Sequence, residues 1–71
     1  MYKIIFNTGF NEVETDCADS EEEIKACLES RKLAVKHVGY PIRELKNGFD
    51  VIKNKESQIV LGHYRITYEN G

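Results

Sequence analysis

The chain has 71 residues, 41% hydrophobic and 31% charged, with a net charge of -2. That length allows one small domain with a thin core, because such a domain buries only about 60% of its unfolded surface. The charge balance excludes a general attraction to nucleic acid, and no apolar run reaches the length of a membrane span.

Residues 2–6 place Tyr2, Ile4 and Phe6 on alternate positions, the period of a strand. Asn7-Thr8-Gly9 reads as a three-residue hairpin loop whose glycine supplies a positive φ at no steric cost. Phe10–Thr15 returns as a second strand, weakened by Glu12 and Glu14.

A helix follows. Ser20 with Glu23 has the spacing of a capping box, and Glu21, Glu22 and Glu23 set negative charge at the positive end of the helix dipole. Lys32, Lys36 and His37 set positive charge towards the other end. Gly39 provides a left-handed cap, and Pro41 prevents continuation. Ile24, Cys27, Leu28, Ala34, Val35 and Val38 form the apolar stripe, with Arg31 in its midst. A buried guanidinium without a carboxylate is costly. Arg31 is therefore expected to reach solvent or to pair with Glu12 or Glu14; its other reading is a partner-facing arginine where the helix overhangs the sheet.

The segment Pro41–Asn54 reads as a second hairpin. Its Asn47-Gly48 pair invites a two-residue turn, but that turn would set Lys46 against Phe49 and Arg43 against Ile52. A three-residue loop, Lys46-Asn47-Gly48, sets Leu45 against Phe49 and Ile42 against Ile52, which keeps like with like. "FNTGF" and "LKNGF" would then be one turn solution used twice. Asn54–Ser57 is a further polar turn. Gln58–Tyr68 is a long last strand with Gly62 as a bulge or twist point, and Glu69–Gly71 is a loose tail. The expected fold is a single α+β domain over residues 1–71, order β-β-α-β-β-β. An antiparallel sheet of four to five strands carries one helix on one face.

Alternation assigns Tyr2, Ile4, Phe6, Phe10, Leu45, Phe49, Val51, Val60, Tyr64, Ile66 and Tyr68 to the helix side. It leaves Ile5, Val13, Ile42, Ile52, Ile59 and Leu61 on the open side, among Lys3, Glu44, Asp50, His63, Arg65 and Thr67. Six aliphatic residues on a nominally wet face point to an interface. Ile5, Ile52, Ile59, Leu61, His63 and Arg65 are the candidate partner-binding residues.

No catalytic motif is present: His63 has no nucleophile in a recognisable order, and Cys27 lies on the buried stripe. Cys17, Cys27, His37 and His63 are separated by nine, nine and twenty-five residues, which matches no zinc module. No enzyme activity, metal or cofactor is expected. Met1 leads straight into a strand without a basic start or long apolar stretch, so a cytoplasmic protein with free thiols is expected. Residues 1–29 hold two lysines against eight carboxylates, net -6, and residues 30–71 hold eight basic residues against four acidic ones, net +4.

These features describe a non-catalytic protein-binding module. It would be an adaptor or inhibitor of the size phages and mobile elements encode, acting through the aliphatic open face or an edge strand. A homodimer is its simplest form. The second reading is a nucleic-acid binder using Arg65, His63 and Lys3 on the sheet face, against which stand Glu44, Asp50 and the lack of stacking residues there.

Overall fold

A computed structural model describes residues 1–70. The elements are β1 (Tyr2–Asn7), β2 (Glu12–Ala18), α1 (Glu21–Val38), β3 (Ile42–Leu45), β4 (Gly48–Ile52) and β5 (Val60–Tyr68). The five strands form one antiparallel sheet in the order β2-β1-β5-β4-β3, with the helix packed on one face. This is the expected α+β class and element order. The longest strand, β5, lies at the centre and pairs with both β1 and β4.

Local chemistry sets the helix ends. Ser20 is extended (φ -119°, ψ 153°), and its Oγ accepts the Glu23 N–H at 3.2 Å. Gly39 adopts φ 110°; its N–H donates to the Lys36 carbonyl at 3.0 Å, and the Tyr40 N–H donates to that of Val35 at 3.3 Å. The buried face differs from the expected stripe. Ile24 and Leu28 are buried, Cys27 and Val35 are half-buried, but Ala34 and Val38 are exposed. Lys32 takes an inward place instead. Its stem is buried while its ammonium binds Glu29 and, across on β3, Glu44. Those two carboxylates raise the Lys32 pKa, and the same contact lowers that of Glu44.

The core joins Ile4, Ile24 and Phe49, all fully buried, to Ala18, Leu28 and Val51. Burying each of the three large side chains contributes about 1.5–3 kcal/mol. An aromatic row crosses the helix side of the sheet: Tyr64 has Phe6 at 4.6 Å and Phe49 at 4.9 Å between ring centroids. Gly62 makes room for this row, since a Cβ there would lie 2.8 Å from the Phe6 ring.

The loops depart from expectation. Asn7 pairs with Glu12, so the first loop has four residues, Thr8–Asn11, and β2 begins later than Phe10 and runs on to Ala18. Gly9 keeps the expected positive φ (92°). In the second hairpin Leu45 pairs with Gly48, leaving the two-residue turn Lys46-Asn47. Gly48 lies in the ladder without a positive φ; a glycine is needed there because the Tyr64 backbone passes too close for any side chain. The two similar stretches therefore do not share one loop. The register opposes Ile42 to Val51 and Glu44 to Phe49, which turns Ile42 towards the core and Glu44 towards Lys32.

Two irregularities interrupt strict alternation. Ile4 faces Asp16 while Ile5 faces Glu14, so Thr15 is an extra residue in β2. Val51 faces Gly62 while Ile52 faces Val60, so Leu61 is an extra residue beside the expected bulge glycine. At the far end Glu69 exchanges hydrogen bonds with Met1, each 2.8 Å, which extends the β1–β5 pairing into the segment expected to be loose; Gly71 lies outside the described residues.

Candidate interaction surface

The open side of the sheet is built from β1, β5 and β4 positions that alternate with the core. Registered pairs align Glu12, Asn7, His63, Asp50 and Arg43 in one transverse row across all five strands. Asn7 Nδ2 donates to Glu12 Oε1 at 2.7 Å, and Arg43 donates to Asp50 Oδ2 at 2.6 and 3.0 Å. His63 stands between these two pairs, and its shielded Nδ1 has no hydrogen-bond partner. Ile5, His63 and Arg65 come together as expected, lining a cleft of about 130 Å³ with Asn7, Glu12 and Thr67. Lys3, on the same side, is held at 2.9 Å by both Glu14 and Glu69, whose hydrogen bonds raise its pKa.

This face is more polar than alternation alone suggests. Ile42 packs against the core, and Val13 pairs with Phe6 rather than sharing the side of Ile5. Glu44 reaches the helix. Ile52 is only 8% exposed, so little of it is presented to a partner.

Of the aliphatic residues expected on the open side, the well-exposed ones gather at one end of the sheet. Ile59, Val60 and Leu61 are consecutive and 52%, 42% and 39% exposed, and Phe10 is 95% exposed. Asn7, the last residue of β1, pairs with His63 near the start of β5, so the Thr8–Asn11 loop and the Ile59–Leu61 run project from the same end. Val13 is also exposed beyond the reach of the helix. Phe10 and Val60 were expected to face the helix. The four-residue loop frees the first, and the Leu61 bulge changes the phase of the second. A sequence signal for Phe10 exists in retrospect: an aromatic residue directly after a turn glycine, before an acidic strand.

The Phe10 loop is ordered by its own polar groups. Gly9 N–H donates to Asn7 Oδ1 at 2.6 Å, Thr8 N–H donates to the Asn11 carbonyl at 3.1 Å, and Thr8 Oγ1 accepts the N–H groups of Phe10 and Asn11 at 3.4 and 3.3 Å. The loop thus holds a bare aromatic ring outward at little further entropic cost.

Both sheet edges are blunted. On β2, Arg31 Nε donates to Asp16 Oδ2 at 2.9 Å and Nη2 to the Thr15 carbonyl at 3.2 Å. The arginine therefore occupies a backbone acceptor at the bulge, on a strand that also carries Glu12 and Glu14. Arg31 was expected to reach solvent or pair with Glu12 or Glu14; the extra residue Thr15 presents Asp16 to the helix instead. This ion pair holds the Asp16 carboxyl below its ordinary value of 3.8. On the other edge β3 has only four residues and follows Pro41.

Cys17 is an exposed free thiol and Cys27 a half-buried one. Among the described residues no group of three or more His, Cys, Asp or Glu side chains is placed to hold a metal ion, and no helix is long and apolar enough to cross a membrane. Comparison with protein-family models, curated proteins and solved structures finds no match to this chain.

Proposed function

We propose that the chain is a cytoplasmic, non-catalytic protein-binding module, an adaptor or inhibitor, that docks through the apolar end of its sheet. The observation that carries this reading is the joint exposure of Phe10 and of the Ile59–Leu61 run on one end of a molecule with little core to spare. An aromatic anchor surrounded by aliphatic side chains has the composition of an interface centre. The blunted edges favour side-chain docking over strand addition, and the paired state of Lys3 weighs against the nucleic-acid reading.

The test is affinity capture of partners by the tagged wild type beside Ile59→Asp and Leu61→Asp. Far-UV circular dichroism serves as the control for folding. The reading expects both folded variants to lose every partner that the wild type enriches. Undiminished capture by both would remove the apolar end as the docking surface.

A further inference from the structure

Two arginines of this chain are committed to aspartates: Arg31 to Asp16 at 2.9 Å and Arg43 to Asp50 at 2.6 Å. Arg65, the remaining arginine, enters none of the ion pairs among the described residues. It stands exposed on the central strand, between half-buried His63 and Thr67, and lines the open-side cleft of about 130 Å³ with both of them. His63 Nδ1, shielded and without a partner, is a second unfilled polar position in the same lining.

The chain has no spare carboxylate on this side to give Arg65. Asp50 is held by Arg43 and Glu14 by Lys3 at 2.9 Å, while Glu12 accepts from Asn7 Nδ2 at 2.7 Å. Each would have to leave a donor in order to reach Arg65. The unmet charge is therefore available to an outside group.

The fork of a guanidinium matches the two oxygens of a carboxylate. Arg31 shows this pairing within the chain, with Nε on Asp16 Oδ2 at 2.9 Å and Nη2 on Oδ1 at 3.4 Å. Charge then decides between oxyanions. Asn7 is neutral, so Glu12 keeps its negative charge at the margin of the cleft. Glu12 opposes one charge of a carboxylate but two of a dianionic phosphate. Ile5, in the same lining, supplies apolar contact for a short methylene stem.

We propose that this cleft is a carboxylate site. Arg65 takes both oxygens of one Asp or Glu side chain of the docking partner, Ile5 packs against the stem, and His63 and Thr67 flank it. The inference rests on the protein-binding reading and gives the partner's chemistry: an acidic side chain beside an apolar segment. The cleft adjoins the proposed docking end, because Asn7 leads into the Phe10 loop and pairs with His63, which closely follows Leu61.

The probe is propionate, the stem and head of a glutamate side chain, titrated into the isotope-labelled chain at constant ionic strength and followed by NMR. A charge-assisted fork with little else beside it implies a Kd on the order of 10 mM. The amide signals of His63, Arg65 and Thr67 should shift saturably, and propionamide, of the same size without the charge, should barely move them. Arg65→Gln should weaken binding at least about 10-fold. Arg65→Lys keeps the charge but loses the fork; it should weaken binding about 3-fold, and it stands in if the spectrum shows Arg65→Gln unfolded. Glu12→Gln should strengthen binding about 2-fold.

The absence of a saturable shift well above that concentration overturns the inference. So does equal binding of propionamide, a folded Arg65 variant that binds as the wild type does, or weaker binding by Glu12→Gln. Inorganic phosphate that binds more tightly than propionate assigns the cleft to a different anion and also overturns the inference. Propionate needs no partner protein, so failure here leaves the capture experiment on Ile59 and Leu61 to its own result.

Discussion

Gly48→Ala and Gly9→Ala are the same chemical change in two nearly identical stretches, yet the structure assigns them different costs. An added Cβ at Gly48 would lie 1.8 Å from the Tyr64 carbonyl oxygen, 2.8 Å from its carbon and 3.0 Å from the Arg65 Cα. All three are backbone atoms of the central strand, so no side chain can rotate away. Relief requires β4 to move off β5, which would pull Phe49 from beside Tyr64 and disturb the core. Overpacking that flexible side chains can absorb costs about 1–3 kcal/mol, so the cost here should be at least about 3. Total stability at roughly 0.05–0.15 kcal/mol per residue is only about 4–11 kcal/mol for this length. Gly48→Ala should therefore lose much of its fold at room temperature. At Gly9 a Cβ meets nothing within 4 Å, and the cost is that of holding alanine at φ 92°, about 1 kcal/mol. Urea unfolding followed by far-UV circular dichroism measures both, since the chain has no tryptophan. A Gly48→Ala variant within about 1 kcal/mol of wild type, or less damaged than Gly9→Ala, would refute the close approach of β4 to β5.

Three further outcomes follow from the packing and the ion pairs. Phe49→Ala removes the fully buried end of the aromatic row and should cost about 3–5 kcal/mol, read as a fall in the urea midpoint; a loss under about 1 would place Phe49 outside the core. The lowered Asp16 pKa contributes stability that is fully present above the unfolded aspartate value and lost as pH falls through the folded one, so Asp16→Asn should flatten the acid limb of the stability profile. An unchanged acid limb would mean that Arg31 does not hold Asp16 in solution. The raised Lys32 pKa has the opposite sign: its contribution is present below the unfolded lysine value and lost as pH rises through the folded one. Lys32→Met keeps the buried stem and should be much milder than Lys32→Ala in the same unfolding assay; equal losses would show that the charge, and not the stem, holds the helix to β3.

The parts of the fold legible in the sequence are those whose causes are local. Ser20, Gly39 and Pro41 mark the helix ends because caps act over three or four residues, and alternation in Tyr2–Phe6 and in Tyr64–Tyr68 marks strands for the same reason. The β3–β4 register was not legible. It is decided by the Tyr64 carbonyl above Gly48 and by the Lys32 ammonium that draws Glu44 to the helix side, and neither partner is a sequence neighbour. Lys32 itself was hidden because its charge masks a stem that packs as an aliphatic chain. Arg31 could be marked as needing a partner, but the choice of Asp16 over Glu12 or Glu14 depends on one extra residue in β2.

The same cause explains why a candidate face became a candidate end. Strict period-two alternation would align six aliphatic residues on one side, and each departure from that period reassigns the residues beyond it. Thr15 in β2, Leu61 in β5 and the two-residue turn before Gly48 are three such departures. Between them they leave Ile5 on the open side beside His63 and Arg65, turn Ile42 inward, and gather exposed Phe10, Val13, Ile59, Val60 and Leu61 at the end where β1 exits and β5 begins. Bulges and charges also blunt the edges against strand addition. In this chain the bulge on β2 presents Asp16 to Arg31, and the bulge on β5 accompanies the exposed run at the apolar end. Two extra residues thus divide the apolar side chains of a 71-residue chain between a buried core and an exposed end of the sheet.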